Sequence, residues 1–359
     1  MTQEPSAVSV AAAVAERERA GREKLGREKP HVLERILTIE QRHAAGIPTP
    51  MIDIAYSYRC NLKCRHCAAA RFTPKERQLT TADLRHISDQ AYDCGLVQFV
   101  ISGGEPLLFK DLDEVIAALQ PQRFHLAMST NGLLLTAERA HHLKAIGLDK
   151  VKISLDDFVE ARHNDNRKSA SSYRKAIAAM FNAQAAGLSV AIQSCVSHQN
   201  CQTDGMVEMA KFAQDNGFAL DVIAARAIGE WEGKEDVLIT EEDARFLRDL
   251  HAQYPVVHRD VFPGYGMDKG CNCVKALLHI TPYGDVLPCV FIHIAIGNVF
   301  EEDLATIIAR GNSIRQFREY SGLCLSGEDR DFIGTYMSKF YGKPLPLHWS
   351  EAFGADDFV

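Results

Sequence analysis

At 359 residues, with 46% hydrophobic and 24% charged side chains, the chain has the make-up of an ordinary soluble globular protein, long enough for one large domain or two. No apolar run approaches a membrane span and the Glu- and Arg-rich N-terminus has no signal-peptide core, so the expectation is a cytoplasmic protein with no membrane partner. A formal net charge of −7 argues against nucleic acid as the partner, because phosphate binding wants a basic surface.

Residues 1–48 open with a charged, poorly patterned half that reads as a solvated helical or partly disordered arm. Val32, Leu33, Ile36, Leu37 and Ile39 then recur near helical spacing, an apolar stripe that packs on the rest before Pro48 and Pro50 end it. From residue 50 to about 230 strands and helices alternate, which predicts an α/β fold with a parallel sheet. Six strands are expected, at 51–57, 97–102, 124–130, 150–155, 188–196 and 219–227. Helices fill the gaps near 80–94, 111–120, 136–146, 170–186 and 203–216. Gly95, Gly147, Gly187 and Gly217 each sit just after a helix, where a C′ glycine belongs.

Ten cysteines are many for such a protein, in which thiol clusters mean metal or catalysis more often than disulfides. Cys60, Cys64 and Cys67 crowd the loop after the first strand; Cys271, Cys273, Cys289 and Cys324 lie in the C-terminal third; Cys94, Cys195 and Cys201 are scattered. That partition predicts two metal sites. Soft thiolates select zinc or iron–sulfur clusters. Structural zinc normally takes four protein ligands, whereas the first loop offers three spaced C-x3-C-x2-C. Three ligands on a four-iron cluster leave one iron open.

With this spacing after its first strand the chain resembles the radical SAM superfamily. The resemblance implies a partial (β/α)6 TIM-type barrel over residues 49–232, whose chemistry gathers at the C-terminal ends of the strands. It implies a [4Fe-4S] cluster on Cys60, Cys64 and Cys67 whose open iron chelates S-adenosylmethionine. Such enzymes cleave it reductively to a 5′-deoxyadenosyl radical that abstracts a substrate hydrogen. They draw on a low-potential electron donor, a flavodoxin or ferredoxin. His66, inside the cysteine motif, joins the cofactor-binding set.

Further segments extend the likeness. Ser102-Gly103-Gly104-Glu105-Pro106 resembles the Gly-Gly-Glu motif that holds the methionyl amino group; two glycines permit close backbone approach to a ligand, and a carboxylate can accept from an amine. Ser129 and Asn131 at the end of the third strand, and Ser154 and Asp156 at the end of the fourth, point inward by period two. They resemble the segments that bound the ribose and carboxylate of the cofactor. The stretch from His163 to Arg167 resembles another such segment and makes Arg167 a candidate for the cofactor carboxylate, although Asp157 stands where a glycine is usual. In the fifth strand Gln193 and Cys195 face inward. Cys195 is a candidate hydrogen-atom donor, or else a small buried hydrophobe. Arg226, Glu230, Trp231 and Glu232 are candidate substrate contacts.

In the C-terminal third, Cys271 and Cys273 precede a hairpin at 277–287, turned by Pro-Tyr-Gly-Asp, which leads to Cys289. A helix at 301–318 then returns to Cys324. This resembles SPASM and twitch extensions, and with four cysteines the shorter twitch type. Residues 233–330 would form a linker and a twitch-like domain with one auxiliary [4Fe-4S] cluster on Cys271, Cys273, Cys289 and Cys324, zinc being the alternative. Sulfatase-maturating enzymes place an aspartate base where this chain has Val290, so formylglycine formation is not expected. Residues 331–359 form an aromatic tail, a candidate cover for the barrel mouth or an interface.

The expected function is hydrogen abstraction from a small polar metabolite (a sugar, aminocyclitol or nucleoside), for alcohol oxidation, epimerisation or rearrangement. The alternative is modification of a ribosomal peptide by a thioether, carbon–carbon crosslink or epimer, against which the short N-terminal arm and single auxiliary cluster count. A non-catalytic iron–sulfur or zinc protein would leave the Gly-Gly-Glu motif unused.

Overall fold

A computed structural model describes residues 7–45, 47–259, 270–318 and 321–359. The N-terminal arm is helical, as α1 (Ala7–Glu28) and α2 (Pro30–Ala44). Val32, Ile36 and Ile39 bury against Val97, while Leu37 of the same stripe stays 45% exposed. Cations from the arm fasten it to the barrel. Lys29 Nζ donates to Phe124 O, Gly147 O and the Asp149 carboxylate, and Arg35 Nη2 donates to Tyr92 O and Leu96 O.

The six expected strands are present: β1 (Met51–Ser57), β2 (Gln98–Gly103), β3 (His125–Thr130), β4 (Lys150–Ser154), β5 (Ser189–Val196) and β6 (Ala219–Ala224). They pair in parallel and in sequence order. Between them run α3 (Thr81–Asp93), α4 (Leu112–Ala118), α5 (Ala137–Ala145), α6 (Glu160–Arg167), α7 (Ser172–Ala185), α8 (His198–Cys201) and α9 (Asp204–Asp215). Thr80 caps α3 through a reciprocal box with Asp83. The period-two assignment holds: Ile52, Ile54, Leu126 and Met128 are fully buried against the helices. Helix α6 was not expected, because its sequence EARHNDNR has no apolar stripe to announce it.

After α10 (Glu241–Gln253), β7 (Val257–Arg259) extends the sheet beside β6. The linker residues 260–269 lie outside the described residues. The C-terminal hairpin, β8 (Leu277–Ile280) and β9 (Asp285–Leu287), does not stand apart from the barrel. Strand β8 pairs in parallel with β1, setting His279 beside Asp53. With β11 (Gly297–Asn298) on β9 the order becomes β11-β9-β8-β1-β2-β3-β4-β5-β6-β7, a sheet of ten strands whose ends do not pair, while β10 (Ile294–Ala295) stands outside it. The barrel is therefore partial.

The expected helix at 301–318 breaks at Ile314 into α11 (Leu304–Ser313) and α12 (Arg315–Arg318). The aromatic tail folds back. Its β12 (Leu347–His348) pairs with β10, and Thr73 N donates to Leu345 O, so the tail binds both the cysteine-loop segment and the C-terminal domain.

Candidate active site

Strand β1 empties into the loop carrying Cys60, Cys64 and Cys67, and the end of β2 is clamped to it. Gly104 N donates to Ser57 O at 2.8 Å and Glu105 N to Arg59 O at 2.9 Å. Gly103 has φ +113°, and a Cβ there would lie 2.3 Å from Ser57 O; at Gly104 it would lie 2.0 Å from Arg59 O. The close approach that these glycines permit is thus to the backbone of the cysteine loop.

The Glu105 carboxylate is 1% exposed and already engaged. It accepts from Thr130 Oγ1 (2.6 Å) and Leu107 N (3.2 Å) on one oxygen and from Asn131 N (2.8 Å) on the other, while burial pushes its pKa up. Asn131 Nδ2 reaches Asn61 Oδ1 at 2.8 Å. Cysteine loop, β2 end and β3 end therefore form one hydrogen-bonded rim.

A second network braces the other side of the thiols. Arg167 makes a bidentate pair with Asp156, 2.6 Å on each arm, and Asn166 Nδ2 adds a bond of 2.7 Å. Burial opposes ionisation of Asp156, yet the Arg167 guanidinium holds its carboxyl well below the usual range. Arg167 Nη1 lies 3.9 Å from Cys64 Sγ. Burial pushes the Cys64 thiol up to about 11 although Arg167 favours the thiolate. His66 accepts from Asn166 Nδ2 at 3.2 Å on Nδ1, and burial followed by Arg167 brings its pKa down to about 4.

These groups border a cavity of about 1270 Å³ running down the barrel. Cys60, Cys64, Cys67, His66, Gly103, Gly104, Glu105, Ser129, Asn131, Ser154, Arg167 and Cys195 all line it. Asp156 does not: at 1% exposure it stands behind Arg167 as the anchor of that side chain, which corrects its placing among open cofactor contacts. The Tyr58 hydroxyl, also at the cavity, is buried without a hydrogen-bond partner. Three thiols with a polar rim and an uncompensated hydroxyl fit an open-sided [4Fe-4S] cluster and the zwitterionic S-adenosylmethionine beside it. Composition alone did not single out Asn61, Thr130, Asn166 or Tyr58, although Asn166 lies inside the segment already in question.

In the C-terminal domain Cys271, Cys273, Cys289 and Cys324 are all buried. Cys271 Sγ is 3.5 Å from Cys273 Sγ, and Cys271 N donates to Ser321 O at 2.8 Å, drawing in the loop that carries Cys324. Cys273 is pushed well above its ordinary value, first by Cys271 and then by Cys289. Such crowded buried sulfur suits a soft metal centre. Among the described residues no three His, Cys, Asp or Glu side chains converge as a single ion requires; a four-iron cube takes its thiolates from further apart. Arg226 does not line the cavity but donates to Cys324 Sγ, away from its expected place at the substrate. Trp231 packs on His66, with ring centroids 5.9 Å apart. Among the described residues no helix is long and apolar enough to cross a membrane.

Residues 54–211 match the radical SAM superfamily, and residues 271–328 match an iron-sulfur cluster-binding domain, SPASM. The chain is similar to the AdoMet-dependent heme synthase of Nitratidesulfovibrio vulgaris, 27% identical over 334 residues, 82% of this chain and 89% of that protein. It is similar to the PqqA peptide cyclase of Methylocella silvestris, 28% identical over 250 residues, 65% of each chain. Streptococcus suis SuiB bound to its precursor peptide SuiA shares the fold, with a TM-score of 0.58 at 18% identity over 75% of this chain and 67% of that one. Both patterns fall on the thiols that the fold gathers, and the chain belongs to the radical SAM superfamily, which implies a [4Fe-4S] cluster and S-adenosylmethionine, with a SPASM iron–sulfur domain at its C-terminal end.

Proposed function

We propose that the chain is a radical enzyme that oxidatively modifies a peptide. Its likeness to PqqA peptide cyclase is the observation that carries this reading. The cavity of about 1270 Å³ is the space that the cluster, S-adenosylmethionine and the reacting part of the substrate would share. When bound, the cluster and S-adenosylmethionine supply a 5′-deoxyadenosyl radical that removes a hydrogen atom from the substrate. Arg167, fixed by Asp156, presents a guanidinium edge beside Cys64 for the cofactor carboxylate. Ser129 and Ser154 offer hydroxyls at the cavity wall, and Cys195 a thiol for any product that must regain hydrogen.

A second reading, a small polar metabolite, is favoured by the Lys152–Asp221 ion pair (3.2 Å) on the cavity wall. One experiment separates the two. Anaerobically reconstituted protein, expected to hold about eight irons per chain, is given S-adenosylmethionine and dithionite with either the short peptide encoded nearest its gene or a panel of sugars, aminocyclitols and nucleosides. Peptide-dependent 5′-deoxyadenosine, with loss of two hydrogens from the peptide by mass spectrometry, supports the first reading. The same loss from a panel compound and none from the peptide overturns it.

A further inference from the structure

Arg226 follows the C-terminal end of β6 and is 3% exposed. Its Nη2 donates to Cys324 Sγ at 2.9 Å, its Nε donates to Ser326 Oγ at 3.1 Å, and Ala224 O accepts from Nη1. The guanidinium carbon lies 4.3 Å from the ring centroid of Phe291, two residues beyond Cys289. On another side a Cβ at Gly327 would come 3.4 Å from its Cζ and Nε. A barrel residue is thus enclosed by the two segments that carry Cys289 and Cys324, with its charge against one of the thiols.

Guanidinium does not deprotonate in proteins, so the charge is permanent. A cluster that takes up one electron gains one negative charge, spread over its iron and sulfur atoms. A donor and a positive charge on a ligating sulfur stabilise that reduced state more than the oxidised one, and hydrogen bonds to sulfur are among the levers that set cluster potentials. Burial keeps water from screening the effect.

We propose that Arg226 tunes the auxiliary cluster, holding its reduction potential up by donating to the Cys324 thiolate, so that the cluster accepts one electron more readily. The proposal rests on the reading of Cys324 as a cluster ligand. Arg226 touches neither substrate nor S-adenosylmethionine in this role.

The test is an EPR-monitored redox titration of the anaerobically reconstituted full chain with dithionite, comparing wild type, Arg226→Gln and Arg226→Lys. At the wild-type midpoint of the auxiliary cluster, Arg226→Gln is expected to lower the ratio of reduced to oxidised cluster at least tenfold, which is 59 mV for a one-electron couple. Arg226→Lys, which keeps the charge without the fork, should fall between, and the midpoint of the S-adenosylmethionine-binding cluster should stay in place. An unmoved auxiliary midpoint in Arg226→Gln with full iron content overturns the proposal, and so does an equal shift of both clusters, which marks general loosening. Should Arg226→Gln lose the auxiliary cluster, the Lys variant decides: a downward shift supports the proposal and none overturns it. Cys324→Ala with full iron and an unchanged auxiliary signal would instead remove Cys324 as a ligand, and the proposal with it.

Discussion

The Arg167–Asp156 pair does two things at once. Its bidentate geometry fixes a cation beside Cys64, and its burial makes either partner costly to remove. Breaking a buried pair from one side leaves an uncompensated charge, at a typical cost of about 3–5 kcal/mol. Asp156→Asn should therefore destabilise the fold by about that much in denaturant melts. It should lower S-adenosylmethionine cleavage at least tenfold, because Asn holds one arm of the guanidinium where Asp holds two. Melts and cleavage both at wild-type level would contradict this role. Period two set Asp156 beside Ser154 at the cavity, whereas Ser154 lines the cavity and Asp156 does not. That it stands behind Arg167 follows from α6, which the sequence pattern did not announce.

At the scale of elements, the end of β2 and the cysteine loop behave as one unit, because backbone meets backbone there. Gly104→Ala would put a Cβ within 2.0 Å of Arg59 O, a contact that no side-chain rotation relieves. The variant is expected to keep its far-ultraviolet helical signal and to retain less than half the iron at the first cluster. Full iron with unimpaired cleavage would show that the clamp is dispensable. The strands and most helices of the barrel were legible in the sequence to within a few residues, because apolar alternation, caps and C′ glycines are local signals. The pairing of β8 with β1 was not: it joins residues some 226 positions apart, Asp53 and His279, and nothing local encodes it. The hairpin itself was plain, but its insertion into the barrel sheet was hidden. So was the use of Arg226, whose role depends on a thiol 98 residues away.

At the scale of the whole molecule, buried neutral histidines tie stability to pH. His125, His163 and His293 are each pushed down by burial, to about 4, 4 and 3, from an ordinary value of 6.5. Because these folded values lie below the unfolded one, the unfolded chain binds more protons below pH 6.5. Stability should be flat above that point with respect to these groups and fall as pH drops from about 6.5 toward 4, by on the order of a few kcal/mol per residue. His125→Gln should make the decline between pH 6.5 and 5 shallower in denaturant melts; an unaltered slope would mean that His125 is not neutral in the fold. The chain also draws its distant parts together around the two cysteine sets, since the tail binds β10 and the segment after Cys67 while β8 continues the barrel sheet.

The most direct test of the central claim is EPR of the anaerobically reconstituted, dithionite-reduced protein before and after adding S-adenosylmethionine. The account predicts two four-iron signals, one of which changes its g-values with S-adenosylmethionine and is lost in Cys60→Ala, with release of 5′-deoxyadenosine. Signals that ignore S-adenosylmethionine, and no 5′-deoxyadenosine, would contradict it.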